Sequence, residues 1–183
     1  TNPAQSMPAV GAVAQALSKA EFVVLQECFG DTDTAAFADL LLPASTWGEK
    51  EGTVTNSERR ISRVRRAIAP PGEARADWEI ARDFALALGR KLGRGDAPRL
   101  FAYPTPESIF NEHRETTRGR DLDITGLDYA TLESDGPQQW PYPAGAKAGR
   151  ARLYENAIFP TPSGRARVGV AQALAGIEGE HRV

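Results

Sequence analysis

The sequence predicts an α/β fold: a parallel, Rossmann-like sheet segment with helices, followed by an extension dominated by proline, glycine and loops. Three observations carry that prediction. A helical spacing of apolar residues runs directly into a continuous apolar stretch, and a second apolar stretch follows after only a turn or two of helix. Neither stretch alternates, as expected of strands covered on both faces in a parallel sheet. Beyond Asp96 the periodicity breaks, with Pro98, Pro104, Pro106, Pro137, Pro141 and Pro143 interrupting the chain.

Taken in order, Asn2-Pro3 reads as a turn, with the Asn2 amide free to cap local backbone or to face a ligand. Residues 8–19 carry Val10, Val13, Ala14 and Leu17 at helical spacing, so a helix closes at Ser18 and Lys19. Phe22, Val23, Val24 and Leu25 form the first strand, which ends in Gln26 and Glu27. Residues 31–33 read as a cap region and 34–38 as a short helix leading into the second strand, 39–42. Pro43 stops that strand and delivers the densest chemistry in the chain: Trp47, Glu49, Lys50, Glu51, Gly52, the alternating Thr53-Val54-Thr55, then Asn56 and Glu58 ahead of Arg59 and Arg60.

Ligands of open parallel sheets bind beyond the carboxyl ends of the strands, so polar groups placed just after a buried strand sit where a ligand sits. The competing reading is a solvated surface loop, the commoner fate of such segments. Residues 70–75 form a stiff connector. Asp77 then stands at the start of a helix over 78–91, as its N-cap or as a ligand-facing carboxylate; the apolar face is Trp78, Ile80, Ala81, Phe84, Ala85 and Leu88, and Gly93 and Gly95 end it. In the extension only 106–115 reads as a helix, with Ile109 and Phe110 buried, while 118–126 and 136–141 read as long ordered loops. Loops of that length are uncommon unless they wrap a larger body or serve a site, and they suggest missing neighbours. Residues 151–154 and 165–168 read as two short strands around a turn at 160–164, and the last dozen residues as a frayed end.

Composition narrows the classes. With 183 residues and 41% hydrophobic content, the chain can build one domain, or one domain plus a loop-rich extension. A net charge of -2 argues against a nucleic-acid surface or a basic membrane-surface helix, although Arg59, Arg60, Arg63, Arg65 and Arg66 form a local basic strip. The lone Cys28 excludes an intramolecular disulfide, and with only His113 and His181 there is no Cys/His zinc site; a reduced, cytosolic setting fits. No apolar run approaches the roughly 20 residues of a membrane span, and the profile of a signal peptide is absent. The abrupt opening at Thr1, without an initiator Met, reads as a fragment of something longer. No GxSxG, P-loop, HExxH, CxxC or GxGxxG occurs, so the residues alone describe a soluble α/β module that binds a polar ligand at its strand ends.

Six segments carry a resemblance: TNPAQSMP, the run from ALSKAEFVVLQECF through DTDTAAFADLLLPA, WGEKEGTVTNSERRISRVRRA, PPGEARADWEIA, FNEHRETTRGRDLDITGLDYA and GPQQWPYP. Together they resemble the molybdopterin oxidoreductase family, from Thr1 to about Val168. WGEKEGTVTNSERR resembles the wider family, and ETTRGRDLDITGLDY with GPQQWP resembles its assimilatory, nitrate-reducing branch. The resemblance implies a large cytoplasmic enzyme reducing nitrate to nitrite, with molybdenum held between two molybdopterin guanine dinucleotides (Mo-bisMGD). It also implies a 4Fe-4S cluster in the full-length protein and an electron-donor protein or subunit. Residues 1–95 then form part of the molybdopterin guanine dinucleotide-binding α/β domain, and 96–183 a loop-rich extension leading toward a further C-terminal domain.

Matched position by position, the resemblance implies cofactor binding by Asn2, by Gln26 and Glu27 at the guanosine-facing strand end, by Lys50 and by Asp77, whose carboxylate suits the amino edge of guanine. Asn56, Glu58 and Arg59 are expected to hold the loop in shape. The family's molybdenum ligand and cluster cysteines match nothing here, and Cys28 matches neither, so the resemblance implies no catalytic residue and no metal ligand in this chain. Its partners are the remaining domains of the enzyme, with no nucleic acid and no membrane. Two alternatives stand beside this: another bis-molybdopterin oxidoreductase such as a formate dehydrogenase, or a non-enzymatic interaction module docking through the basic strip from Arg59 to Arg66.

Overall fold

In the computed structural model, which describes residues 2–169, the two apolar stretches pair in parallel as expected. A single helical turn, α1 (Pro3–Ser6), stands where the sequence reads as a turn, and α2 (Val10–Lys19) follows it. Next comes β1 (Val24–Glu27), then a 3-10 turn (Asp33–Phe37), and β2 (Leu40–Pro43). Val24 lies opposite Leu40 and Glu27 opposite Pro43. A third extended segment continues the arrangement past the end of β2. Arg75 N donates to Pro43 O at 3.1 Å and Ser45 N to Arg75 O at 2.9 Å, which makes a parallel bridge between Ala44 and Arg75. The fold class is α/β, with a small parallel sheet.

The expectation that these strands are covered on both faces is corrected. Leu25 is buried, but Val24 is 50% and Leu40 43% exposed, and α2 buries no residue at all. The physical reason is missing cover: helices bury the faces of a parallel sheet, and here α2 buries no residue and only a 3-10 turn joins the two strands.

After a second 3-10 turn (Trp47–Glu49) the chain forms an antiparallel hairpin, β3 (Gly52–Thr55) and β4 (Arg60–Val64). Its tip is tied by the Asn56 side chain, whose Oδ1 accepts from Glu58 N and Arg60 N, both at 3.0 Å, while Arg59 takes the left-handed conformation. Gly48 O accepts from Ala67 N at 2.8 Å and from Ile68 N at 3.1 Å, which closes the base of the whole 48–68 excursion. Helix α3 (Asp77–Lys91) follows, then α4 (Ala97–Phe101), α5 (Pro106–Thr116), α6 (Tyr129–Ser134) and β5 (Gln138–Gln139), which pairs with β4. At Gly89 a Cβ would stand 2.3 Å from the Ala97 Cβ, so glycine is what lets α4 close on α3.

The extension is not a set of loosely packed loops. The hydrophobic core of the molecule lies there: Phe110, Ile124, Leu127, Tyr129, Leu132 and Tyr142 pack with Ile61 of β4. Two further helices, α4 and α6, form where the sequence reads only 106–115 as helical. Asp128 N-caps α6, its Oδ1 accepting from Thr131 N at 2.7 Å. The turn before it is built by Asp123, which accepts from Thr125 N and Oγ1 and from Gly119 N. The two strands expected at 151–154 and 165–168 do not form. That segment is bends and turns, with Tyr154 and Ala157 at positive φ and short-range backbone bonds such as Ala157 N to Tyr154 O and Phe159 N to Gly164 O. The frayed end expected for the last dozen residues lies outside the described residues.

Candidate functional site

The carboxyl ends of β1 and β2 and the segment bridged at Arg75 meet at one edge, and three candidate side chains converge there. Gln26, on β1, donates its Nε2 to Asp77 Oδ1 at 2.7 Å. Lys50, just past the Trp47–Glu49 turn, places Nζ 2.9 Å from Asp77 Oδ2. The same ammonium lies 4.9 Å from the centre of the Trp47 ring. The cluster therefore joins a strand end, a turn and the start of α3.

Local sequence chemistry explains why Asp77 is available. The expectation that it caps α3 is corrected: Ala76 is the N-cap and Asp77 the first helical residue. The capping is done by Glu79, whose carboxylate accepts from Ala76 N at 3.2 Å, so the Asp77 side chain is left to face Gln26 and Lys50. Glu49 plays the matching role at the preceding turn, accepting from Thr46 N at 2.9 Å, so it does not enter the cluster. Burial pushes the Asp77 carboxyl up, but the Lys50 ammonium and the Gln26 amide outweigh it and hold the group below its ordinary value of 3.8. Asp77 is thus an acceptor at neutral pH. Each of its oxygens has one partner in the cluster, its side chain is 53% exposed, and an ionised carboxylate offers about four acceptor positions.

Asn2 and Glu27 stand outside those two bonds. Asn2 Oδ1 accepts from Thr34 N at 3.0 Å and Thr34 Oγ1 at 2.6 Å, and its Nδ2 donates to Gln5 and Asp33, so it pins α1 to the first 3-10 turn. Glu27 accepts from Cys28 N at 2.7 Å, and that backbone bond holds its carboxyl below the usual range. Cys28 itself is exposed; burial and then the Glu27 charge push its thiol up, so it stays protonated.

A cleft of about 240 Å³ opens beside the cluster, lined among others by Trp47, Lys50, Gly52, Asp77 and Trp78. Trp78, which the sequence assigns to the apolar face of α3, forms part of its wall, and Trp47 reads in the sequence only as a loop residue. The one signal for it there is a tryptophan between a proline-stopped strand and a Gly-flanked charged run.

The basic strip makes many contacts within the chain. Arg63 donates to Glu133, Glu51 and Gly52 O and lies 3.6 Å over the Tyr129 ring, and Arg65 pairs with Glu133. Arg60 reaches Pro137 O, and Arg59 reaches the carbonyls of Trp140, Arg150 and Ala151. Four of its five arginines thus spend donors within the chain, while Arg60 and Arg65 keep 43% and 60% of their side-chain surface open to solvent.

This fold and site define an α/β module of the open parallel-sheet kind, with polar groups gathered where such sheets take ligands. A family model described as Molybdopterin oxidoreductase matches residues 1–87. The chain is 46% identical over 149 residues to a nitrate reductase of Klebsiella oxytoca, covering 77% of this chain and 16% of the relative. It is 41% identical over 167 residues to the F420-dependent formate dehydrogenase subunit alpha of Methanocaldococcus jannaschii, covering 91% and 23%. Among solved structures, acetylene hydratase from Pelobacter acetylenicus superposes with a TM-score of 0.53 at 22% identity, over 85% of this chain and 19% of that one; this likeness concerns the fold. Residues 1–87 thus match the molybdopterin oxidoreductase family, whose members carry a molybdenum-pterin cofactor, and the chain spans 16–23% of the length of these curated relatives. No helix among the described residues is long and apolar enough to cross a membrane.

Proposed function

We propose that the chain supplies the guanosine-facing edge of a molybdopterin guanine dinucleotide site in the catalytic subunit of a molybdenum-dependent assimilatory nitrate reductase. One observation carries the reading: Gln26, Asp77 and Lys50 converge at the carboxyl ends of parallel strands, beside an aromatic-walled cleft. The donor set fits the guanosine end of the cofactor. Guanine presents adjacent N–H donors along its pairing edge, and Asp77 is an ionised acceptor with unfilled positions. Lys50 is a flexible cation suited to a phosphate or a polar ring atom, and Glu27, at the same strand end, suits a ribose hydroxyl.

When bound, the molybdenum-pterin group supplies the redox chemistry of nitrate reduction. This chain's residues bind and orient its nucleotide arm. Catalysis, the metal ligand and the 4Fe-4S cluster belong to the remaining domains, served by an electron donor in the cytoplasm. Nitrate as substrate rests on the 46% identical relative and on the nitrate-type segments at 115–129 and 136–141. A formate dehydrogenase is the second reading, favoured by the 41% identity over most of the chain.

Titration of the 183-residue chain with GMP, followed by amide resonances, tests the site. Shifts confined to Gln26, Glu27, Lys50, Asp77 and their neighbours, and weakened in Asp77→Ala, are expected. A folded chain whose resonances do not move, or move equally everywhere, refutes a preformed guanosine edge.

A further inference from the structure

Trp47 is out of place by the ordinary rules of burial. Its side chain is large and apolar, yet it is 66% exposed. The backbone beneath it is held firmly all the same. Thr46 N donates to the Glu49 carboxylate, Glu49 N donates to Thr46 O, and the next residue, Gly48, accepts from both Ala67 and Ile68. The indole is thus an open surface on a fixed mount.

Its neighbours say what such a surface takes. Lys50 Nζ touches the Asp77 carboxylate and also lies over the Trp47 ring, so a single ring system can reach the acceptor at its edge and the indole with its face. The cleft between them, about 240 Å³, is smaller than the roughly 300 Å³ at which sites for drug-sized ligands begin. It has room for one base and not for a whole dinucleotide. The second tryptophan is less suited to stacking because Trp78 is half-buried; a cation lies about equally close to both rings, Lys50 Nζ at 4.9 Å and Arg82 at 5.0 Å.

Building on the guanosine-edge reading above, we infer that Trp47 is the stacking platform for the base, while Asp77 selects which base is held. Every base has a π face, so stacking is tolerant of identity. Guanine alone of the two purines offers adjacent N–H donors to a carboxylate, whereas adenine places a ring acceptor beside its single amino group. Affinity and choice therefore reside in different side chains.

The test measures Kd for GMP and AMP, as probes, with the 183-residue chain and its Trp47→Ala, Trp47→Phe and Asp77→Asn variants, each first shown to unfold cooperatively. Trp47→Ala is expected to weaken both nucleotides by about 5- to 150-fold and to leave their ratio unchanged, with Trp47→Phe restoring most of the loss. Asp77→Asn is expected to erase the preference for GMP while sparing AMP. If Trp47→Ala binds both nucleotides as the parent does, and the Asp77-dependent preference persists, the platform is refuted and the guanosine edge stands. If the parent chain shows no preference for GMP, the guanosine edge fails and the platform falls with it.

Discussion

The parallel pair β1–β2 and the antiparallel sheet β3–β4–β5 lie in one chain and are held by different means. The antiparallel sheet rests Ile61 on a closed apolar cluster in which Leu127 is fully buried and Leu132 is 2% exposed. The parallel pair has Leu25 and Ala44 as its buried apolar residues and leaves Phe22, Val24, Leu40 and Leu41 open to solvent. Helix α3 shares that character, with Phe84 66% and Leu88 43% exposed. Yet the polar cluster belongs to the parallel pair. Its side chains are held by hydrogen bonds among themselves and not by packing beneath them, so the geometry of the site and the stability of the chain rest on separate residues.

That separation can be broken or sharpened by measurement. The largest effect is expected from Leu127→Ala, which should cost about 2–5 kcal/mol in urea unfolding, because it opens a cavity in the core. Leu40→Ala, on the open sheet, should stay within about 0.5 kcal/mol. Equal losses at the two positions would dissolve the contrast. Gly126→Ala should come next, at about 1–3 kcal/mol, since a Cβ there would stand 2.4 Å from Pro143 O and 2.9 Å from the Tyr142 ring; a shift in thermal midpoint reads it.

Asp77→Asn should alter stability by less than about 1 kcal/mol, because the pair it breaks with Lys50 is half open to water. A larger loss in the same urea experiment would mean that the site also carries the fold.

The smallest effect is electrostatic. Arg82 and then Arg75 hold the Asp83 carboxyl at about 2, below its ordinary 3.8. Because the folded value is the lower one, this contribution is fully present above about 3.8 and is lost as pH falls through about 2. A carboxyl-carbon NMR titration with its midpoint at the ordinary value would show that the Arg82–Asp83–Arg75 contacts are absent in solution.

The parallel half was the more legible in the sequence, and for a physical reason. Phe22 to Leu25 and Leu40 to Leu42 are continuous apolar runs, and their shortness and flanking turn signals mark them as strands. The meeting of Gln26, Lys50 and Asp77 was also within reach, because two of them follow strand ends and the third opens a strongly patterned helix. The core in the second half was hidden. Ile124, Leu127, Tyr129 and Leu132 are separated by Thr, Gly and Asp with no period of 2 or 3.6, because their backbone is shaped by side chains of Asp123, Asp128 and Thr117. The Asp128-x-x-Thr131 spacing was the one local sign of α6. The exposure of Trp47 on the wall of the cleft was not legible, because exposure is a tertiary property and nothing in residues 43–52 states it.

Arg59, finally, sets an order of events in time. Sitting at the tip of a hairpin whose strands are only a few residues apart, it donates to carbonyls 81, 91 and 92 residues further along the chain. At synthesis rates of roughly 5–20 residues per second, the last of those acceptors leaves the ribosome's active centre roughly 5–18 s after Arg59 does. For those seconds the hairpin is an open hook, and its clasp closes only once Trp140, Arg150 and Ala151 have been made.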